Sequence, residues 1–266
     1  EVIRMNDKDR IVPIPSEGIM PERDIGKPPV LEARHLGIDF GGLTAVDDFN
    51  LIVGRTEIAG LIGPNGAGKT TTLKSVCGIL SYDGGEIFID GENIKDSPVA
   101  VKKKIAYIPD NPDIYEFMTG EKYLAFISDI FGISAKDREA RIHKYASDFE
   151  LEGDLGQPIS AYSHGMKQKL AIIAAWIHDP KLIIMDEPFV GLDPKAAHLL
   201  KGMMRELCDV GGAIFFSTHV LEVAEKLCDK VAIIKGGRLI RSGTMEEVKG
   251  DDSLEDVFLE LEDASC

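Results

Sequence analysis

The sequence predicts an α/β domain whose parallel sheet is covered by helices. Two observations carry this expectation. From residue 182 onward, apolar runs of strand length alternate with helix-length segments. Upstream, the apolar run 57–62 ends in a glycine-rich turn that leads directly into a helical pattern.

Taken in order, residues 1–29 are charged, carry Pro13, Pro15, Pro21, Pro28 and Pro29, and show no period, so a loose extension is expected there. Residues 30–36 and 51–53 read as strands, and 57–62 as a buried strand. A helix follows over 69–78, with Gly78 near its C-terminal cap. Residues 87–89 form a strand that turns at Asp90-Gly91. Ser97-Pro98 reads as a helix start, and 105–108 as another strand. From 120 to 178 the pattern is mostly helical, with breaks near Gly132-Ile133-Ser134 and over 153–161. Strands at 182–185, 213–216 and 231–234 then alternate with helices at 194–208 and 220–228. Ser253 is placed to cap a last helix, about 253–262, on which Leu254, Val257, Phe258 and Leu261 share one face.

Composition sets the class. In 266 residues, 44% hydrophobic and 28% charged side chains suffice for a globular core. A formal net charge of −15 argues against a nucleic-acid partner, because phosphate backbones need a basic face. Cys77, Cys208, Cys228 and Cys266 form no C-x-x-C pair, which fits a reduced compartment. No signal-peptide pattern opens the sequence, and the longest apolar run, 170–177, stops at His178-Asp179-Pro180, short of a membrane span. Any membrane role is therefore expected to run through a partner.

Gly63-Pro64-Asn65-Gly66-Ala67-Gly68-Lys69-Thr70 matches G-x-x-x-x-G-K-[ST] between an expected strand and an expected helix, the context in which the pattern binds phosphate. Gly63, Gly66 and Gly68 let backbone N–H groups around Asn65 curl into a nest for the β- and γ-phosphates. The helix N-terminus points its positive end at the same anion. Lys69 adds a full charge, Thr70 offers a hydroxyl to Mg²⁺, and Thr71 extends the nucleotide-binding set. The apolar strand 182–185 then ends in two carboxylates. Asp186 is placed to serve Mg²⁺, and Glu187 to orient and deprotonate a water. A GTPase is rejected: the nearest string to N-K-x-D, Asn93-Ile94-Lys95-Asp96, has the wrong order.

With these motifs in place, the sequence from about residue 30 resembles the ABC ATPase family. Tyr162-Ser163-His164-Gly165-Met166 stands where that family has L-S-G-G-Q, departing from it at His164 and Met166. The resemblance implies a P-loop NTPase core with an N-terminal antiparallel β layer, and an inserted helical subdomain over about 112–178 within a domain spanning 30–266. It implies that Ser163 and Gly165 meet the γ-phosphate bound by a second ATPase subunit, in a homodimer or heterodimer. It further implies that Asp193, after Gly191-Leu192, reaches across that dimer, that His219 senses the γ-phosphate, and that Phe40 stacks on adenine. The family's usual Gln after the 105–108 strand is replaced by Asp110-Asn111; Asp110 takes over the metal-side position, with Asn111 as the alternative.

Residues 31–72 look like ATPases of branched-chain amino-acid importers. From Tyr107 onward the chain looks like exporter ATPases of the bacitracin-resistance type. The expected activity is ATP hydrolysis on the cytoplasmic face of a membrane, coupled to transport by an integral-membrane permease. The alternatives are a soluble ABC-type ATPase in cofactor assembly and a nucleotide-regulated module without turnover, which an intact Lys69 and Glu187 disfavour.

Overall fold

The computed structural model describes residues 27–112 and 114–263. The extension expected over 1–29 lies outside the described residues except for its last three. Among the described residues the strands form two sheets. An antiparallel layer contains β1 (Leu31–Phe40), β2 (Leu43–Val53), β4 (Gly84–Ile89) and β5 (Glu92–Asn93), in the order β2-β1-β4-β5. The second sheet contains β3 (Ile58–Ile62), β6 (Ile105–Ile108), β7 (Leu182–Asp186), β8 (Ala213–Thr218), β9 (Lys230–Lys235) and β10 (Arg238–Thr244), in the order β10-β9-β3-β8-β7-β6. The pairs β3–β8, β3–β9, β7–β8 and β6–β7 are parallel.

The central strands are apolar at successive positions because both faces are covered. Leu61, Ile184, Phe215 and Ile234 face a core shared with the antiparallel layer and with α1 (Lys69–Val76). Their neighbours Ile62, Ile183, Phe216 and Ile233 face a second core, roofed by α5 (His164–Trp176) and α6 (Pro194–Asp209). The sheet is thus sandwiched, with the C-termini of its parallel strands β3, β6, β7, β8 and β9 opening along one edge, where ligands bind in such folds.

Between β6 and α5 lie α3 (Gly120–Ile130) and α4 (Ala135–Asp148). The break expected near residues 132–134 is real: Gly132 has φ +69°, and Ser134 caps α4 by accepting from the Asp137 amide. Between 153 and 161 the chain makes two short 3₁₀ turns.

Four details differ from the sequence expectation. β1 and β2 are longer than 30–36 and 51–53 because they close on each other as a hairpin, with Phe40 opposite Leu43 across Gly41-Gly42. β10 was not foreseen; it pairs antiparallel with β9, so the sheet is mixed at that edge. α8 (Met245–Lys249) was also missed, although Thr244 and Glu247 form a complete capping box. Ser97 does sit at the cap of α2 (Pro98–Lys102), but its side chain accepts no capping hydrogen bond.

α7 (Leu221–Leu227) and α9 (Leu254–Asp263) complete the fold. The Ser253 hydroxyl accepts from the Asp256 amide at 3.1 Å, as a cap should. Phe258 and Leu261 then line a crevice with Pro64 and Ile240, so α9 closes the back of the glycine-rich turn.

At the opposite end of the sheet, Asp90 joins both layers. Its carboxylate accepts from Lys104 at 2.9 Å, from Lys181 at 2.6 Å and from Arg55. Burial alone would raise its pKa, but hydrogen bonds from Lys181, Lys104 and Arg55 outweigh burial and hold it well below the usual carboxylate range. A depressed native pKa means stability that is complete above the unfolded carboxylate value of about 4 and is lost as pH falls beneath it. Urea unfolding of Asp90→Asn is therefore expected to show a loss of about 2–3 kcal/mol at pH 7, narrowing as the pH is lowered below about 4.

Candidate functional site

The loop after β3 and the first turn of α1 form the floor of the site. Gly66 and Gly68 have φ of +78° and +101°, conformations that let the loop coil. Gly63 is required for a different reason: a Cβ there would stand 2.2 Å from the Ile234 carbonyl oxygen, so the loop lies flat on β9. Asn65 is exposed at the rim of the loop, and Thr71 is half-buried on α1. The Lys69 ammonium folds over the loop and donates to the Gly63 and Pro64 carbonyls at 2.7 and 3.1 Å. Burial lowers the Lys69 pKa, against the attraction of Glu187 and Asp186.

Asp186, at the end of β7, is 1% exposed. One carboxylate oxygen accepts from the Thr70 hydroxyl at 2.6 Å, and the other accepts from the Ser217 hydroxyl. Ser217 lies opposite Asp186 in the parallel β7–β8 register. It also accepts the Glu187 amide, through its carbonyl and its hydroxyl, both at 3.2 Å. Those bonds hold Glu187 in a left-handed conformation, φ +46°, that non-glycine residues rarely adopt. The turn aims the Glu187 carboxylate at His219, whose Nδ1 is 2.9 Å from Oε1. A carboxylate only accepts, so Nδ1 carries the hydrogen of this contact. Lys69, Thr70, Asp186, Glu187 and His219 are thus brought together from the ends of two strands, β7 and β8, and the start of one helix, α1.

Ser217 was not singled out in the sequence. A serine at a strand end carries no spacing signal; only the register against Asp186 reveals it.

Ser163, Gly165 and Asp193 form a second group. Ser163 caps α5, accepting the Met166 amide at 3.3 Å. Asp193 caps α6, accepting the Ala196 amide at 2.8 Å, and pairs with Lys169 of α5 at 2.7 Å. The Lys169 hydrogen bond, and then the Ala196 amide, lower the Asp193 pKa. Gly165 faces the loop between β7 and α6: its missing Cβ would be 2.8 Å from the Gly191 carbonyl oxygen.

Two expected residues stand apart from both groups. Phe40 is 51% exposed at the β1–β2 hairpin. Further along β2, the Ala45 carbonyl would meet a Cβ at Gly68 at 2.6 Å, so that strand does pack on the phosphate loop. Asp110 is exposed two residues beyond β6, accepting the Asn111 amide at 2.8 Å. Tyr107 of β6 feels both carboxylates: burial, then Asp186, Cys77 and Asp110, raise its pKa. Among the described residues no cluster of three or more His, Cys, Asp or Glu side chains could hold a metal. An oxygen pair such as Thr70 and Asp186 suits an ion that keeps most of its own water.

A helix-opening phosphate loop beside two carboxylates at a strand end defines a nucleoside triphosphate hydrolase of the α/β class. Comparison with known families narrows this further. The model of the ABC transporter family matches residues 46–190, and the chain belongs to that family. It is 36% identical over 210 residues to the ABC-type transporter ATP-binding protein EcsA of Bacillus subtilis (strain 168), covering 77% of this chain and 85% of that one. It is 34% identical over 228 residues to the Nod factor export ATP-binding protein I of Ralstonia nicotianae, covering 86% and 71%. A solved structure described as the ATP binding subunit of an ABC transporter superposes with a TM-score of 0.84 at 36% identity, over 88% of this chain and 99% of that one. The chain is accordingly an ATP-binding, ATP-hydrolysing motor subunit of an ABC transporter. The relatives do not single out the branched-chain importer or the bacitracin-resistance type.

The flat seat of the phosphate loop on β9 is directly testable. Gly63→Ala should cost about 2–3 kcal/mol in urea unfolding, because its Cβ meets backbone that cannot step aside. Nucleotide binding, followed by equilibrium dialysis, should weaken with it.

Proposed function

We propose that two copies of this chain, or this chain and a similar subunit, close head to tail on ATP and Mg²⁺, and that the closure drives a separate integral-membrane permease. The observation that carries this reading is the convergence of the Thr70 hydroxyl, the buried Asp186 carboxylate and the tilted Glu187 carboxylate beside the phosphate loop. In this reading Gly63, Asn65, Gly66, Gly68, Lys69 and Thr71 hold the phosphates. Thr70 and Asp186 would hold Mg²⁺, and Asp110, exposed beyond β6, would act on it only through water. Mg²⁺, when bound, would neutralise charge on the β- and γ-phosphates.

Glu187 takes the proton of the attacking water, and His219 holds that carboxylate in place and meets the γ-phosphate. Phe40, exposed on its hairpin, stacks on adenine. The Ser163 end of α5 presents Ser163 and the Gly165 amide to the nucleotide of the other copy, and Asp193 reaches across the same interface. Each charge-assisted hydrogen bond to the γ-phosphate contributes about 1.5–3 kcal/mol, and hydrolysis removes it, so the pair loosens.

The helical subdomain, about 112–178 within a domain of 30–266, would carry the permease contact. Membership of the ABC transporter family supports a separate membrane subunit and a place on the cytoplasmic face; among the described residues no helix is long and apolar enough to cross a membrane. The name of the Nod factor relative favours export.

Glu187→Gln should still bind ATP and accumulate a nucleotide-bound dimer, while steady-state phosphate release falls by roughly 10²–10⁴-fold. Near-normal turnover would remove Glu187 from the base role.

A further inference from the structure

The start of α5 and the loop from Glu187 to Asp193 are bound to each other at three levels within one chain. At the first turn of α5, the two backbones touch. The missing Cβ of Gly165 faces the Gly191 carbonyl oxygen at 2.8 Å, and the missing Cβ of Gly191 would fall 2.5 Å from Cδ2 and 3.0 Å from Nε2 of His164. The imidazole therefore occupies the space over Gly191. One turn further along, the fully buried Gln168 amide donates to the Pro188 carbonyl at 3.5 Å. Beside it, the Lys169 ammonium pairs with Asp193 at 2.7 Å, and Lys169 is only 16% exposed while doing so. Asp193 meanwhile caps α6, so the same carboxylate anchors the far end of the loop.

This arrangement is asymmetric in a useful way. The loop begins at Glu187, whose strained backbone is held by Ser217 and whose carboxylate meets His219. The helix begins at Ser163. A shift of Glu187 has a short, stiff route to Ser163, because glycine-to-glycine contact leaves no compressible side chain between the two backbones. His164 stands where the L-S-G-G-Q pattern has a glycine, so the ring over Gly191 comes with this departure from the pattern.

We infer that His164 and Lys169 are positioning residues: together they make the Ser163 helix end move with the loop that starts at Glu187. The surface offered to the second copy's nucleotide is then set by the state of the chain's own site. Among the described residues neither side chain makes a hydrogen bond or ion pair with the chain's own phosphate loop; Lys169 pairs with Asp193 instead. The inference rests on the head-to-tail reading, because it assigns Ser163 to the other copy's ATP.

The test uses full-length protein carrying Glu187→Gln, in which ATP-driven dimer formation is followed by sedimentation against ATP concentration at saturating Mg²⁺. His164→Gly and Lys169→Met are added singly, and Lys169→Arg serves as the conservative control. Binding of a fluorescent ATP analogue to dilute monomer is measured in parallel. Both disruptive variants should bind the analogue within about twofold of the parent yet need about tenfold more ATP to dimerise, a coupling loss of about 1.4 kcal/mol, while Lys169→Arg dimerises like the parent. In the Glu187 background, kcat should fall for His164→Gly with KM for ATP little changed. If both variants dimerise at the parent's ATP concentration, or if analogue binding falls in step with dimerisation, the inference is wrong. If the Glu187→Gln parent itself never dimerises, the head-to-tail reading fails, independently of these residues.

Discussion

The nucleotide end of the molecule is organised by one buried carboxylate. Stripping Asp186 of water is costly unless its oxygens are hydrogen-bonded, and both are: one by Thr70 from α1, the other by Ser217 from β8. Those two hydroxyls set the register of the phosphate-loop helix, the β7 end and the β8 end against a single charge. Ser217 then uses its remaining acceptor capacity on the Glu187 amide and so stabilises the tilted backbone that turns the second carboxylate toward His219, on the site side of the sheet end. Without that turn, strand alternation would send Glu187 to the opposite face of the sheet from Asp186.

The far end of the sheet is tied by charges as well. Lys230 pairs with Glu57 at 3.1 Å, with both side chains 1% exposed, and also donates to the Ile52 carbonyl at 3.0 Å. Glu57 accepts the Gly54 amide, which leaves its other oxygen without a hydrogen-bonding partner. A pair this deeply buried contributes little net stability, but removing either member would strand a charge in the core. Together with Asp90, it joins the antiparallel layer to the parallel sheet at the end away from the chemistry. One end of the sheet is therefore held fast, while the loops at the other carry the reactive groups.

Much of this was legible from local pattern. The phosphate loop has fixed spacing between a strand and a helix, and the 182–186 strand shows its burial as an unbroken apolar run. The boundaries at Ile105, Ile108 and Leu182 fell where that pattern put them. What escaped depends on partners distant in sequence. β10 reads as a polar stretch because an edge strand buries little, and its identity comes from pairing with β9. Ser217 and Lys169 act only through residues that the fold brings to them. His164 was visible as a departure from a motif, but nothing in the sequence says that its ring lies over Gly191. Thr244-x-x-Glu247 is a capping signal legible in the sequence, and α8 starts there.

The edge strand β10 has a bearing on solubility. Its pairing with β9 shifts register between Leu239 and Arg241, and Arg238 reaches sideways to Asp47 of β2 at 2.9 Å. A bulged edge with cationic side chains is a poor template for another strand, so this margin resists the edge-to-edge stacking that seeds fibrils. Any copies that approach along this margin are left to meet through side-chain surfaces that can part again, rather than through backbone ladders that do not.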